Sequence, residues 1–371
     1  MFIKDILMEK AGSARIQHLE DLILWNGKAG AQKAISSLHS LESNPGDTTI
    51  KWDGSPAVIF GRNENGEFIL TDKSGFGAKG YDGKATSADN LENMLKNRPG
   101  YEKNPQEYGG FINQMKAAWP AFEQATPSDF RGYVHGDLLW FTTPQASDGK
   151  LVFTPNTTQY SVNPASDIGK KIASSTVGVV LHAHMDLEGN KSKVDATRFQ
   201  AGPLLAMPPQ TVTEVPDIES AKLKELENFV NAAGSDIDAV LAPPAELKMK
   251  NFPDILYMYM NHTAKTRTSN KIGSKNFVQW LTADGSKVSS AKQGRLVEYL
   301  KQHQKGLDAI FAFMRSIGPI KDNIIAQLDA NPADIEASTG GQKGGEGYVI
   351  GKDVKLVNRQ GFTASNMEKN N

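Results

Sequence analysis

The sequence predicts an α+β protein, an antiparallel-sheet domain interrupted by an inserted helical domain. Two observations carry this. Apolar residues recur in short, strand-length runs within 48–71, 130–140, 151–154 and 177–186 and again at 348–357, whereas residues 205–337 switch to helical periodicity. Pro208-Pro209 and Pro216 mark the entry to the helical stretch, and Ser338-Thr339-Gly340-Gly341 marks its exit. Four segments follow from these boundaries: an N-terminal helical cap (1–47), the first part of the sheet domain (48–204), the insert (205–337), and a closing hairpin with its tail (338–371).

The cap reads as two helices. Leu19, Leu22 and Ile23 line one side of the first, Gly27 and Gly30 punctuate its end, and Ala34, Ile35, Leu38 and Leu41 form the apolar stripe of the second. Residues 48–71 read as a β-hairpin turning at Asn63-Glu64-Asn65-Gly66, which returns Lys73 toward Lys51 and leaves Arg62 beside the turn. Gly75-Phe76-Gly77-Ala78-Lys79-Gly80 then spells Gly-x-Gly-x-x-Gly, but Tyr81-Asp82-Gly83 prolongs the loop where a dinucleotide fingerprint would open a helix. It reads as an amide-rich loop that could cover phosphates. Helices follow at 87–96 and 105–124, the second with Phe111, Met115, Trp119 and Phe122 as a core-facing stripe. Strands at 130–140 and 151–154 are expected to pair antiparallel. Over 177–186, simple alternation sets His182, His184 and Asp186 on one face. Such a histidine pair could bind a divalent metal, but the scatter of the remaining histidines favours packing. Helices at 218–232, 254–263, 276–281, 289–315 and 321–329 make the insert, and a hairpin from 348–350 into 354–357 closes the pattern.

The 371 residues are enough for two domains with an ordinary core, 39% of them being hydrophobic. With 41 basic and 42 acidic residues, a polyanion has to be held by a local patch. Lys248, Lys250, Lys265, Arg267, Lys271 and Lys275 are opposed there by Asp254 and interleaved with Tyr257, Tyr259 and Phe277, a pattern that fits polynucleotide binding and equally a solvated helix face. The absence of cysteine excludes disulfides and thiolate chemistry. Charge interrupts Met1-Phe2-Ile3-Lys4-Asp5, and no apolar run reaches membrane-spanning length, so a soluble cytoplasmic protein without a membrane partner is expected.

Lys51-Trp52-Asp53-Gly54-Ser55 stands between the apolar runs Thr49-Ile50 and Ala57-Val58-Ile59-Phe60, a place where a scaffold can hold a lysine rigidly. A lysine amine attacks only when neutral, and at an unperturbed pKa near 10.4 about one in a few thousand is neutral at pH 7. Lowering that value by about 3 units costs roughly 4 kcal/mol, which neighbouring cations or a metal supply. Lys73, Lys355 and Arg62 are the candidates to converge on Lys51.

Lys51-Trp52-Asp53-Gly54 resembles motif I of the covalent nucleotidyltransferases, the superfamily of ATP-dependent DNA ligases, RNA ligases and mRNA capping enzymes. Further stretches follow in that family's order. Asp72-Lys73-Ser74-Gly75 is similar to its basic motif after the first hairpin, and His135-Gly136-Asp137-Leu138-Leu139 to its strand-borne carboxylate motif, with Asp where Glu is usual. Residues 177–186 match the next strand, Glu346-Gly347-Tyr348-Val349-Ile350 resembles motif IV, and Val354-Lys355-Leu356-Val357-Asn358 resembles motif V. Val357 stands where motif V carries its second lysine, with Arg359 as the substitute. Ser55, and the lack of an oligonucleotide-binding barrel before Asn371, make the chain most similar to a divergent phage-type RNA ligase.

The resemblance implies an antiparallel-sheet nucleotidyltransferase (ligase adenylation) domain in which Lys51 forms a lysyl-AMP intermediate from ATP, with Lys73 and Lys355 stabilising charge on phosphate. It implies nucleotide contacts from Asp53, Gly54, Asp137, His182, His184 and Glu346, with Glu346 and Asp137 also holding Mg²⁺. The substrate would be a polynucleotide, RNA rather than DNA, bound by Lys265, Arg267, Lys271 and Lys275. Two other functions stay open: a non-catalytic nucleic-acid-binding protein on a degenerate ligase fold, and nucleotide transfer to a protein or small molecule.

Overall fold

Strand order and burial group the chain into two units, each discontinuous in sequence. The first holds the described residues of 51–210 and 332–345, the second those of 10–50, 211–331 and 346–371. The structure, a computed structural model, describes residues 17–73, 75–76, 85–248, 251–330, 334–351 and 354–359. Ser74, the glycine loop beyond Phe76, Lys250 and the turn at Lys352-Asp353 lie outside the described residues.

In chain order the strands are β1 (Gln17–His18), β2 (Thr48–Ile50), β3 (Ala57–Arg62), β4 (Phe68–Asp72), β5 (Gly132–Trp140), β6 (Gln145–Ser147), β7 (Lys150–Phe153), β8 (Thr158–Val162), β9 (Val177–Met185), β10 (Lys191–Ser192), β11 (Leu204–Met207), β12 (Ile335–Thr339), β13 (Gln342–Lys343), β14 (Tyr348–Ile350) and β15 (Val354–Leu356). The helices are α1 (Leu22–Ser43), α2 (Ala88–Lys96), α3 (Pro99–Lys103), α4 (Pro105–Ala125), α5 (Asp167–Ala173), α6 (Ser220–Leu241), α7 (Phe252–Lys265), α8 (Ser274–Leu281), α9 (Ser290–Gln302) and α10 (Gln304–Ala330).

The first unit is built on two sheets. One has the order β10-β9-β5-β3-β4, antiparallel throughout, with β11 added parallel to β9; the other has the antiparallel order β13-β12-β8-β7-β6. The β3–β4 turn forms where expected, because the Asn63 side chain accepts from the backbone N–H groups of Asn65 (3.1 Å) and Glu67 (2.9 Å). Arg62 does not reach toward Lys51. Its guanidinium clasps the hairpin, donating to the carbonyls of Gly66, Thr126 and Pro127. The expected pairing of 151–154 with 130–140 is also replaced. Both edges of β5 are already taken by β3 and β9, so β7 pairs with β6 and β8 in the second sheet.

One face of the larger sheet (Val58, Phe60, Leu70, Val134, Leu138, Val179, Leu181) packs on Leu91 and Leu95 of α2 and on Met115, Trp119 and Phe122 of α4. Each large apolar side chain so buried contributes roughly 1.5–3 kcal/mol. A second cluster joins Trp52, Leu139, Trp140, Val180, Leu205 and Met207 to Leu151, Phe153, Tyr160, Val162 and Ile335 of the smaller sheet. A third gathers Ile59, Ile69, Phe76, Tyr133 and Met185.

The second unit has a four-stranded sheet, β1-β15-β14-β2, in which β1 lies parallel to β15. Its core takes Ile23 and Leu38 from α1, Leu223 and Val230 from α6, Leu256 from α7, Phe277 from α8, Phe311 and Ile317 from α10, and Val354 and Leu356 from β15. Residues expected as cap, insert and closing hairpin thus share one core. Thr48–Ile50 belongs here too, since β2 pairs with β14 and not with the β3–β4 hairpin. Within α1 the helical path breaks at Gly27, whose φ of 54° suits glycine and whose added Cβ would stand 2.0 Å from Asp238 Oδ1. The expected helix over 289–315 is two, α9 and α10, parted at His303. No helix among the described residues is long and apolar enough to cross a membrane.

Candidate active site

The path of Lys51-Trp52-Asp53-Gly54-Ser55 is fixed by burial on one side and hydrogen bonds on the other. Lys51, half-buried, directly follows β2. Trp52 is 3% exposed and packs on Tyr160 with ring centroids 4.7 Å apart. Asp53 turns its carboxylate onto the start of β8, accepting from Asn156 Nδ2 (2.9 Å), Thr157 N (2.7 Å), Thr157 Oγ1 (2.6 Å) and Thr158 N (2.9 Å), while its own N–H donates to the Tyr160 hydroxyl at 2.7 Å. Burial works against the Asp53 charge, but the hydrogen bonds from Thr157, Asn156 and Thr158 win and hold its pKa below the ordinary value. Expected as a nucleotide contact, Asp53 is spent on the protein and rigidifies the segment carrying Lys51.

Gly54 and Ser55 then run against the end of β5. Ser55 N donates to Leu138 O at 2.9 Å, and a Cβ added at Gly54 would meet the Asp137 Cβ at 2.5 Å. The glycine permits the close approach that sets Asp137 beside this loop.

A register shift between β5 and β9 makes the rest of the site. His135 pairs with Ala183 and Gly136 with Leu181, leaving His182 as the extra residue of a β-bulge. The bulge reverses the expected alternation. His182 Nε2 donates to Asp137 Oδ2 at 2.9 Å and its ring lies 5.6 Å from that of His135. His184 sits opposite Val134, whose side chain is on the helix-covered face; its ring lies 5.3 Å from Phe130 and its Nδ1 3.2 Å from Ser192 Oγ. Asp186 accepts from Asn190 in the turn after β9. His182, His184 and Asp186 therefore do not share one face.

His135 is a member of the site that sequence reasoning overlooked, although its place two residues before Asp137 on the same strand was a readable signal. Burial, reinforced by His182 and by the cations Lys73 and Lys191, lowers its pKa to about 4 against the pull of Asp137. The imidazole is neutral at physiological pH, and its Nε2 is buried without a hydrogen-bond partner among the described residues. Lys73 follows β4 directly, where Asp72 is clamped by both terminal nitrogens of Arg98 (2.5 and 2.6 Å). Lys51, Gly54, Asp137, His182, His135 and Lys73 all belong to the first unit.

Glu346 and Lys355 belong to the second unit, in the segment that carries β14 and β15. Val349 of β14 pairs with both Lys355 and Thr49, so Lys355 stands in one cross-strand row with a residue two positions before Lys51. Val357 is 3% exposed, and Arg359, expected as the substitute for the second lysine of motif V, is buried against Asp21 and over the Tyr257 ring. In the same unit Lys265, Arg267, Lys271 and Lys275 are all exposed. Tyr259 (2%) and Phe277 (0%) are core residues and present no ring beside those cations, because α7 and α8 turn their apolar stripes inward. Among the described residues no three or more metal-ligating side chains cluster.

The model of a family of unknown function, DUF6267, matches residues 14–371. No curated protein and no solved structure matches the chain.

Proposed function

We propose that this chain, which belongs to the DUF6267 family of unknown function, is an ATP-dependent polynucleotide ligase, acting on RNA in the cytoplasm through a lysyl-AMP intermediate on Lys51. One observation supports the reading above the others: three of the stretches that carry the ligase resemblance, those of Lys51, Asp137 and His182, lie together in the first unit with Lys73 beside them. The Lys51 loop runs against Asp137 through Gly54, Asp137 holds His182 from the next strand, and Lys73 acts on the adjoining His135.

In this reading the neutral Lys51 amine attacks the α-phosphorus of ATP. A nitrogen–phosphorus bond forms as the bond to pyrophosphate breaks, and the amine proton passes to solvent. Lys73 and Lys355 are cations of the kind that stabilise charge developing on phosphate. The AMP passes to a 5′-phosphate, and a 3′-hydroxyl then displaces it to seal the strand. Mg²⁺ fits the donor chemistry of Asp137, since that ion takes one or two carboxylates and completes its shell with water and phosphate oxygens, which is compatible with the lack of a three-ligand cluster among the described residues. When bound it would neutralise phosphate charge. Asp137 orients His182, and Asp53 holds the Lys51 loop.

The test is incubation with α-³²P-labelled ATP or GTP and Mg²⁺, followed by denaturing electrophoresis. Acid-labile label on the protein with ATP, lost in Lys51→Ala, is the expected result. Label retained by a normally folded Lys51→Ala protein would overturn the assignment. The buried Val357 and the commitment of Arg359 to Asp21 favour a second reading, a non-catalytic nucleic-acid-binding protein. It predicts no covalent label with either nucleotide.

A further inference from the structure

The end of α7 contains a local conflict. Thr268 N donates to Thr263 O (2.8 Å) and Arg267 N to Ala264 O (3.2 Å), a helix terminus that needs a left-handed residue between them. Glycine is the usual occupant, since a side chain is disfavoured there. Here the residue is Arg267, with φ of 55°. Backbone strain of this kind clusters at ligand clamps and other functional sites.

What surrounds Arg267 indicates the use. Lys265, Lys271 and Lys275 are exposed on the same short path from the last turn of α7 to the first turn of α8. Exposed His262 lies with its ring 6.0 Å from that of Trp280, and Trp280 is held from beneath by Tyr259 (5.4 Å) and Phe277 (5.9 Å). His262 is exposed and Trp280 half-buried, so this pair is the aromatic surface that the segment offers beside its core. On α10, Asp308 accepts hydrogen bonds from Ser274 and Gln304. Cations that follow a backbone beside a fixed aromatic surface are how proteins hold single strands without reading sequence.

We infer that the face formed by His262, Lys265, Arg267, Lys271, Lys275 and Trp280 binds single-stranded polynucleotide. The face would hold the strand for the ligase reading, yet it stands on its own residues. It is accordingly tested by binding alone, in full-length protein carrying Lys51→Ala, so that its failure and the failure of nucleotidyl transfer are distinguishable.

The probes are fluorescein-labelled 20-nucleotide single strands of RNA and DNA and the matching duplex, followed by anisotropy at several salt concentrations. Both single strands should bind, and more tightly than the duplex, because charge and stacking do not require the 2′-hydroxyl. Arg267→Gly is the decisive variant. It removes one phosphate contact while relieving the left-handed strain, so the melting temperature should rise as affinity falls by roughly threefold to tenfold, with the salt slope reduced by about 0.7. A cation present only for the fold would not move the two readouts in opposite directions. Tighter binding to duplex, affinity unchanged when Lys265, Arg267, Lys271 and Lys275 are all replaced by Ala, or an equal loss from Lys222→Ala/Lys224→Ala on α6 would overturn the inference.

Discussion

Asp53 and Asp137 are carboxylates at one loop–strand junction, and their surroundings give them different work. Asp53 is 5% exposed and saturated by donors from residues 156–158, whereas Asp137 is half-buried and holds one histidine. Asp53→Ala would leave those buried donors unsatisfied and should cost about 3 kcal/mol, measured by urea unfolding. His135 carries a pH signature. Unfolded, it takes a proton near the ordinary 6.5; folded, only near about 4. Between those values the unfolded chain binds more protons, so stability must fall as pH drops from 6.5 toward 4. Replacing His135 by Gln should flatten that part of a stability–pH curve, and an unchanged slope would remove His135 from the account.

At the scale of elements, the meeting of the Lys51 loop with β5 depends on Gly54, and the meeting of β9 with β5 depends on the bulge at His182. Gly54→Ala drives a methyl group into the Asp137 Cβ at 2.5 Å, so loop and strand must part. A cost of about 1–3 kcal/mol is expected from such overpacking. If Asp137 serves nucleotide transfer, covalent labelling should fall further than stability does; full labelling in a destabilised variant would separate the glycine from the chemistry. The bulge is the type of irregularity that re-aims a side chain next to a site. It turns His182 toward Asp137 while His184 goes to the other face.

For the molecule as a whole, the second unit draws on three separated parts of the chain, and buried charge ties them. Arg359 pairs with Asp21, and Lys321 donates to Glu20 at 3.0 Å; all four side chains are at most 9% exposed. Removing one member of such a pair strands its partner's charge. Arg359→Met should destabilise the second unit by about 3–5 kcal/mol, seen as a lower urea midpoint, and adding Asp21→Asn should recover part of the loss. Equal additive losses from the two changes would show that the pair is not coupled.

Much of the local structure was legible because its causes are local. The apolar runs of β3 and β4, the Asn63 turn, the apolar stripe of α4 and the glycine break in α1 all arise from neighbouring residues, and so did the α+β class. The candidate site was legible in part, through the order of the stretches around Lys51, Lys73, Asp137 and His182, which resembles that of the ligase motifs. Pairing was not. Thr48–Ile50 is too short to have a period of its own, and its partner Tyr348–Ile350 lies at the other end of the sequence. The face of His182 follows from its register against β5, and the loss of Tyr259 and Phe277 from the basic face follows from the core they enter. Sequence by itself determined the elements and the chemical character of their residues. Tertiary structure alone decided partners, faces and burial, because a hydrogen-bond register and a buried surface each require a second segment that local sequence does not specify.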